Sequence, residues 1–182
     1  MHSNFINIYY FIDKFDEKHI KSLPKNIALI YRNYEKKISI ELIKDIRDYC
    51  KISGRKFYLA GNLRLAINLN LDGAYIPAFN HSLKIKYYQI KKNFLLLGSA
   101  HNIKEINIKS LQKIDVLFIS PLFNSNKKTG INILKFRKLA GYCNCKVVAL
   151  GGINNKNYKK LRLLNIDGFA GITLFNAKKN GP

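Results

Sequence analysis

The sequence predicts a compact (β/α)8 barrel in a single domain spanning residues 1–182, with an eighth helix that is truncated or missing. Short β-rich apolar runs alternate with longer helical stretches along the whole chain, and strict alternation builds βα units on a parallel sheet. Eight such runs occur, which favours a closed barrel over an open doubly wound sheet. No linker, charge block or internal repeat divides the 182 residues, a length that suits roughly one domain.

The elements follow in order. Asn7–Ile12 (NIYYFI) reads as the first strand and Asn26–Tyr31 (NIALIY) as the second. From Ile38 to Ile52, Ile40, Ile43, Ile46 and Tyr49 recur at three-residue spacing, the apolar face of an amphipathic helix. Lys56–Ala60 is the third strand, followed by a helix through Leu63, Ala66, Ile67 and Asn70. Asp72–Ile76 is the fourth strand, with a helix over Ser82–Ile90, and Phe94–Gly98 the fifth, with a helix over Ile103–Gln112. Val116–Ser120 is the sixth, with a helix over Ile131–Tyr142, and Lys146–Leu150 the seventh, with Asn157–Leu164 helical after it. Phe169–Ile172 is the eighth strand. The ten residues from Thr173 to Pro182 are polar and Gly/Pro-ended, too little for a last helix. The apolar flank this leaves is the expected contact of a homodimer.

Composition excludes several classes. With 47% hydrophobic and 12% aromatic residues the chain has material for a core and is not disordered. Four Pro and 11 Gly exclude a collagen-like or low-complexity chain. No apolar run approaches the roughly 18 residues of a membrane span, and Met1–Asn7 lacks the features of a signal peptide. Three cysteines, an odd number, point to a reducing, cytoplasmic setting rather than a disulfide framework. The formal charge of +21 would suit a nucleic-acid partner. The lysines are instead spread among Ile and Asn along the whole chain, as AT-rich codons dictate, so neither nucleic acid nor membrane is an expected partner.

In such a barrel the chemistry belongs to the loops at the C-terminal ends of the strands. Gly151, Gly152 and Ile153 end the seventh strand just before a helix opened by Asn154-Asn155; paired glycines let the backbone approach an anion, and the helix dipole adds to it. Gly171, Ile172 and Thr173 end the eighth strand, and the two loops together form the recurrent phosphate site of barrel enzymes. Ser99 and His101 end the fifth strand two residues apart and can both face the mouth, His101 as the proton-transferring group. The polar loop Ser120–Lys128 carries Ser125 as a substrate-binding candidate, and its lysine pair Lys127-Lys128 can set an ammonium over an anion. His2, His19 and His81 have no functional position, and Cys143-x-Cys145 lacks metal-ligand spacing, so no structural metal is expected.

Taken in order, these loops resemble the thiamine phosphate synthase/TenI family from Tyr10-Phe11-Ile12-Asp13 to Ile172. Asp72-Gly73-Ala74-Tyr75-Ile76 is similar to its fourth strand, Leu97-Gly98-Ser99-Ala100-His101 to its fifth, and Ser120-Pro121-Leu122-Phe123 to the end of its sixth. Ala149–Ile153 resembles its phosphate loop, Asp167-Gly168-Phe169-Ala170 its eighth strand, and Lys128, or Lys127 with a one-residue slip, its loop lysine. The resemblance implies a compact (β/α)8 barrel acting in thiamine biosynthesis. In family synthases an Asn-Asp pair after the third strand and an Asp after the fourth hold magnesium on a pyrimidine diphosphate. The corresponding positions here are Ala60-Gly61 and Asn80, so both carboxylates are missing. The family's Arg-x-Lys after the second strand appears as Arg32-Asn33-Tyr34, which keeps Arg32 as a substrate-binding candidate and leaves Lys36 two residues off the lysine position.

The TenI branch lacks this metal pair, and the resemblance to it implies a metal-independent thiazole phosphate tautomerase or binding protein with no cofactor. Its substrate would be a small phosphorylated thiazole, with His101, Ser99 and Lys128 catalytic and Gly151, Gly152, Ile153, Gly171, Ile172 and Thr173 holding the phosphate. The alternatives are a divergent thiamine phosphate synthase, which alone would use Mg2+, and a non-catalytic partner of a true synthase.

Overall fold

A computed structural model describes residues 7–35, 38–125 and 129–175. Eight parallel strands pair in sequence order, and the last closes on the first. They are β1 (Asn7–Ile12), β2 (Ile27–Tyr31), β3 (Phe57–Ala60), β4 (Gly73–Ile76), β5 (Leu95–Ala100), β6 (Val116–Ile119), β7 (Lys146–Leu150) and β8 (Gly168–Gly171). Between them lie α1 (Glu17–Ser22), α2 (Ile40–Ser53), α3 (Leu63–Asn68), α4 (Ile103–Leu111) and α5 (Asn132–Ala140). The predicted (β/α)8 barrel is the fold of the chain.

The strands read as almost unbroken apolar runs because both of their faces are buried. One set of alternate residues fills the barrel: Tyr9, Phe11, Tyr58, Tyr75 and Phe118 with Ile30, Leu97, Val116 and Val148. The rings meet edge to face, Tyr9 with Phe118 at 4.9 Å and Phe11 with Tyr75 at 5.1 Å between centroids, the arrangement that ring quadrupoles favour. The other set, including Ile12, Leu29, Leu59, Leu96, Leu117 and Phe169, packs outward under Ile43, Ile46, Ile106 and Phe136 of the helices.

Three strands start with one device at the N-terminal end of the barrel. Asp72, Asp115 and Asp167 each precede an even-numbered strand and accept the backbone N–H of Phe57, Leu96 and Val147 on the preceding one, at 3.0, 2.7 and 2.8 Å. Gly73 and Gly168 follow two of these aspartates, and a Cβ there would lie 2.1 Å from Leu95 O and 2.0 Å from Asn7 O. The Asp-Gly pairs in the sequence are therefore strand-closing features, far from the mouth. Buried Arg55 donates to the carbonyls of Ile20, Leu23, Pro24 and Ile27, fastening the end of α1 to the same floor.

Several elements differ from the sequence expectation. The segment expected as a helix over Ser82–Ile90 forms only a 3-10 helix, Leu83–Tyr87, and the one expected over Asn157–Leu164 forms another, Tyr158–Leu163. The fifth strand runs two residues further than expected, because Ser99 and Ala100 pair with Phe118 and Ile119. After β8 the described chain makes one 3-10 turn, Thr173–Phe175. Phe175 stacks on Phe169 at 6.2 Å and meets Tyr10 edge-on at 5.5 Å, so the chain itself covers part of the flank expected to lie bare. Residues 176–182 lie outside the described residues. Among the described residues no helix is long and apolar enough to cross a membrane.

Candidate active site at the barrel mouth

The end of β5 delivers two of the expected residues. Ser99 is buried within the strand and hydrogen-bonds the Tyr75 phenol, which burial pushes up to about 12. His101 follows one residue beyond the strand. Its backbone N–H donates to Glu105 Oε2 at 2.7 Å. Asn102 caps α4 by accepting the Glu105 N–H at 3.0 Å while its own amide donates to Glu105 Oε1. This reciprocal cap fixes where the chain leaves the strand.

The His101 ring leans across the rim onto the end of β6, with Nδ1 2.7 Å from Ser120 O and 3.2 Å from Ser120 Oγ. A carbonyl oxygen only accepts, so Nδ1 is the donor in this contact, and the tautomer it selects has its lone pair on Nε2. Sequence reasoning assigned Ser120 no role; its pairing with His101 across 19 residues exists only in the folded barrel. His101 also borders a groove of about 400 Å³ shared with Asn102, Ile103 and Lys104 on one side and Lys135 and Leu139 of α5 on the other.

The loops after β7 and β8 leave the barrel side by side, since Leu150 pairs with Ala170. Gly151 and Gly152 adopt φ +94° and +69°, and a Cβ on Gly152 would lie 2.3 Å from Phe123 O. Leu122 and Phe123 donate to Leu150 O and Gly151 O at 2.9 and 3.1 Å, binding the β6 loop to the glycine turn. Asn154 and Asn157 close the turn: Asn157 Oδ1 accepts the Asn154 N–H, and its amide donates to Gly152 O at 2.7 Å. The Ile153 side chain is buried in the outer core. The expected helix dipole behind this loop is replaced by the short 3-10 helix that begins at Tyr158, too short and too far along to act as one. Gly171 ends β8, Ile172 is exposed beside it, and Thr173 opens the final 3-10 turn.

Arg32 follows β2. Its guanidinium carbon sits 4.6 Å from the centroid of the Phe11 ring, a cation over the uppermost aromatic layer of the barrel. Ser125 is exposed on the loop after β6. Lys128, like Lys127 and Lys36, lies outside the described residues. The structure thus brings His101 to Ser120, and the β7 loop to the β8 loop, while Arg32 stands on the first two strands.

Residues 17–175 match the TMP-TENI family model, thiamine monophosphate synthase. The chain belongs to this family. It is 25% identical over 174 residues to the thiamine-phosphate synthase of Methanococcus vannielii, covering 90% of this chain and 84% of that one. To the thiamine-phosphate synthase of Clostridium tetani it is 28% identical over 159 residues, covering 85% and 75%. Its fold is similar to that of a thiamine phosphate pyrophosphorylase from Pyrococcus furiosus, with a TM-score of 0.76 at 18% identity, covering 96% of this chain and 90% of that chain. The family resemblance stated from the sequence is therefore correct, and with it the place of the chain in a family of thiamine biosynthesis.

Within this family the quarter of the mouth where the resemblance sets magnesium has a different lining. Gly61 has φ +80°, and a Cβ there would meet Tyr34 Cε1 at 3.2 Å. Asn80 turns its amide oxygen back to accept the Ser82 N–H at 3.0 Å. Among the described residues no group of three His, Cys, Asp or Glu could hold a metal ion. Magnesium requires anionic oxygens, and a glycine under a phenol ring with an amide committed to its own loop does not fit it.

Sequence reasoning missed the pin beneath this quarter. Lys109 of α4 is fully buried, and its ammonium donates to Pro77 O and Asn80 O at 2.8 Å and to Gln112 Oε1 at 2.9 Å. Burial pushes its pKa down to about 8. Gln112, also fully buried, donates to Asn80 O and Ser82 O. Lysine and glutamine at i and i+3 of a helix end look solvent-facing in sequence, and no local signal separates them from the surface lysines of this chain.

Proposed function

We propose that this family member acts on a thiazole phosphate without a metal ion, moving a proton within that one substrate rather than joining two substrates. The observation that carries this reading is the His101 ring, whose Nδ1–H is spent on Ser120 O so that Nε2 is the atom left to take and return a proton. Nε2 removes a proton from the saturated ring carbon of the thiazole carboxylate and returns it to an exocyclic carbon doubly bonded to the ring, so that double bond moves into the ring, the ring becomes aromatic and nothing is gained or lost overall. The main chain of Gly151–Ile153 and Gly171–Thr173 holds the phosphate. Ser99, Arg32, Ser125 and Lys128 are the remaining substrate contacts. The donor set at Gly61 and Asn80 supports the same reading, because it offers a diphosphate no bridging cation. The reading includes a cytoplasmic setting and a homodimer through the β8 flank.

Calorimetry with thiazole phosphate and with pyrimidine diphosphate, each with and without Mg2+, tests this. Thiazole phosphate is expected to bind with or without the metal, and the diphosphate to bind under neither condition. Proton exchange on the thiazole carboxylate followed by NMR is expected to fall about 10²–10⁴-fold in His101→Ala. Magnesium-dependent diphosphate binding would overturn the proposal. A second reading, a divergent synthase, is favoured by the names of the curated relatives and by Arg32; it requires diphosphate release that depends on magnesium.

A further inference from the structure

At the N-terminal end of the barrel, opposite the mouth, the starts of β3, β4 and β5 leave a cleft of about 450 Å³. Five cations line it: Arg47 and Lys51 from α2, Lys56 just before β3, and Lys91 and Lys92 before β5. The acid that lines it among the described residues is Asp72, and both of its oxygens are taken. Oδ2 accepts the Phe57 N–H at 3.0 Å and Oδ1 the Lys56 ammonium at 2.7 Å. The Lys91 ammonium is held at the rim by Asn70 Oδ1 at 2.8 Å. Lys51 and Lys92 enter no ion pair among the described residues. The scatter of lysines along the sequence argued against a polyanionic partner; closure of the sheet undoes that scatter here, bringing residues 47, 51 and 56 to residues 91 and 92.

The segment that leads into the cleft carries the same sign. No acidic residue occurs between Asp72 and Glu105, and Lys84, Lys86, Lys91 and Lys92 are all exposed. Between these lysine pairs stand Tyr87, 85% exposed, and Tyr88, 41% exposed. Exposed rings set within a cationic track are the combination that holds single strands, because every base has a face to stack. An acidic peptide would use the cations and leave the rings idle.

We propose that this cleft and residues 84–92 bind a single-stranded nucleic acid, with phosphates on the ammonium groups and bases on Tyr87 and Tyr88. Lysine ammoniums are hydrated point charges that hold phosphates without reading bases, so the binding is indifferent to base order. The inference goes beyond the reaction at the mouth and does not rest on it. A small diphosphate would meet only one or two exposed cations, screened by salt, so the calorimetric expectation for the mouth stands.

Fluorescence anisotropy of the full chain with a labelled oligothymidylate of about 12 nucleotides tests this. With about four phosphates held, affinity is expected to fall roughly 50-fold between about 50 and 200 mM salt. Lys51→Glu combined with Lys92→Glu should weaken binding at least about tenfold, since like charges then face the phosphates. Lys18→Glu combined with Lys138→Glu makes the same change of charge on exposed positions of α1 and α5 and should cost less than about twofold. Tyr87→Ala and Tyr88→Ala should each weaken binding about fivefold or more. All of these side chains are exposed, so the variants keep the fold. An oligoglutamate of matched charge is expected to bind at least about tenfold more weakly than the oligothymidylate. Amide shifts on titration should gather over residues 84–93. Equal losses in the two lysine pairs, tyrosine variants that bind as the parent does, or shifts confined to residues 151–153 would each overturn the proposal. Oligoglutamate binding as tight as the nucleotide would also overturn it, in favour of an acidic protein partner. Proton exchange through His101 is expected to be unchanged in Lys51→Glu with Lys92→Glu, so failure at the floor and failure at the mouth are told apart.

Discussion

Gly152 shows how much one missing carbon can matter. Its φ of +69° disfavours any side chain, and a Cβ would stand 2.3 Å from Phe123 O and 2.6 Å from Asn124 O, both backbone atoms that cannot swing aside. Gly152→Ala is therefore expected to cost about 2–4 kcal/mol, strain and overpacking combined. Gly54, the C-cap of α2, has the same φ of +69° with nothing within 4 Å of its Cβ position. Gly54→Ala should cost only the backbone strain, about 1 kcal/mol. Urea unfolding of the two variants side by side separates conformation from crowding; equal losses would mean that the β6 loop yields to Gly152→Ala. The His101 variant belongs to this scale too, but its expected effect is on proton exchange, because its ring is tied to the rim rather than to the core.

At the scale of elements, the loop after β4 depends on a helix that is not adjacent to it in sequence. The three N–H groups of the Lys109 ammonium match three acceptors. Lys109→Met leaves Pro77 O with the Asn80 N–H and Asn80 O with the Gln112 amide, but takes the lysine donor from the buried Gln112 Oε1. The cost is then expected at about 1–3 kcal/mol, the penalty of one buried acceptor left unsatisfied. Amide exchange over residues 78–82 should accelerate more than exchange in β4 itself, and a uniform change would argue against a local pin. The strand-closing aspartates make a second prediction. Asp115→Ala and Asp167→Ala should each cost about 1.5–3 kcal/mol, the value of a hydrogen bond to a charged acceptor. Asp72 also pairs with Lys56 at 2.7 Å, but the lysine is 68% exposed, so the pair adds little and Asp72→Ala should match the other two. Denaturant midpoints of the three variants check this, and a markedly larger loss for Asp72→Ala would show the ion pair to be worth more than its exposure suggests.

For the whole molecule, the filling of the barrel sets its tolerance of alkali. Tyr9, Tyr58 and Tyr75 lie inside the strands. Burial pushes the phenols of Tyr9 and Tyr75 up to about 12 and that of Tyr58 higher still. Below pH 10, the ordinary value of a phenol, the folded and unfolded chains both keep these protons. Between about 10 and 12 the unfolded chain releases them and the folded barrel does not. Stability contributed by the three phenols is therefore complete below pH 10 and lost as the pH climbs toward 12. Urea midpoints from pH 8 to 11.5 should fall steeply above 10, and Tyr9→Phe should flatten that fall. The comparison with Tyr9→Phe matters because the 32 Lys and Arg side chains include many lysines that discharge in the same range and relieve self-repulsion.

The order of eight strands, the side of the barrel that carries the loops, and the glycines of the β7 turn were all legible in the chain. Strands buried on both faces must be written as apolar runs, and NIYYFI, VLFI and KVVAL are such runs. Helix type was not legible over Ser82–Ile90 and Asn157–Leu164, since a repeat of 3.0 and one of 3.6 residues are indistinguishable over five or six positions. Gly98-Ser99-Ala100 looks like the start of a loop by composition, and only pairing with β6 makes it strand. Of the candidate site, the residues at the strand ends could be named in advance, because a parallel barrel puts every strand's C-terminal end on one face. Their partners could not: Ser120 for His101, Tyr34 over Gly61, and a buried lysine under Phe79. Local periodicity reports which face of an element is apolar, and it carries no record of which distant residues closure of the sheet will bring within 3 Å of each other.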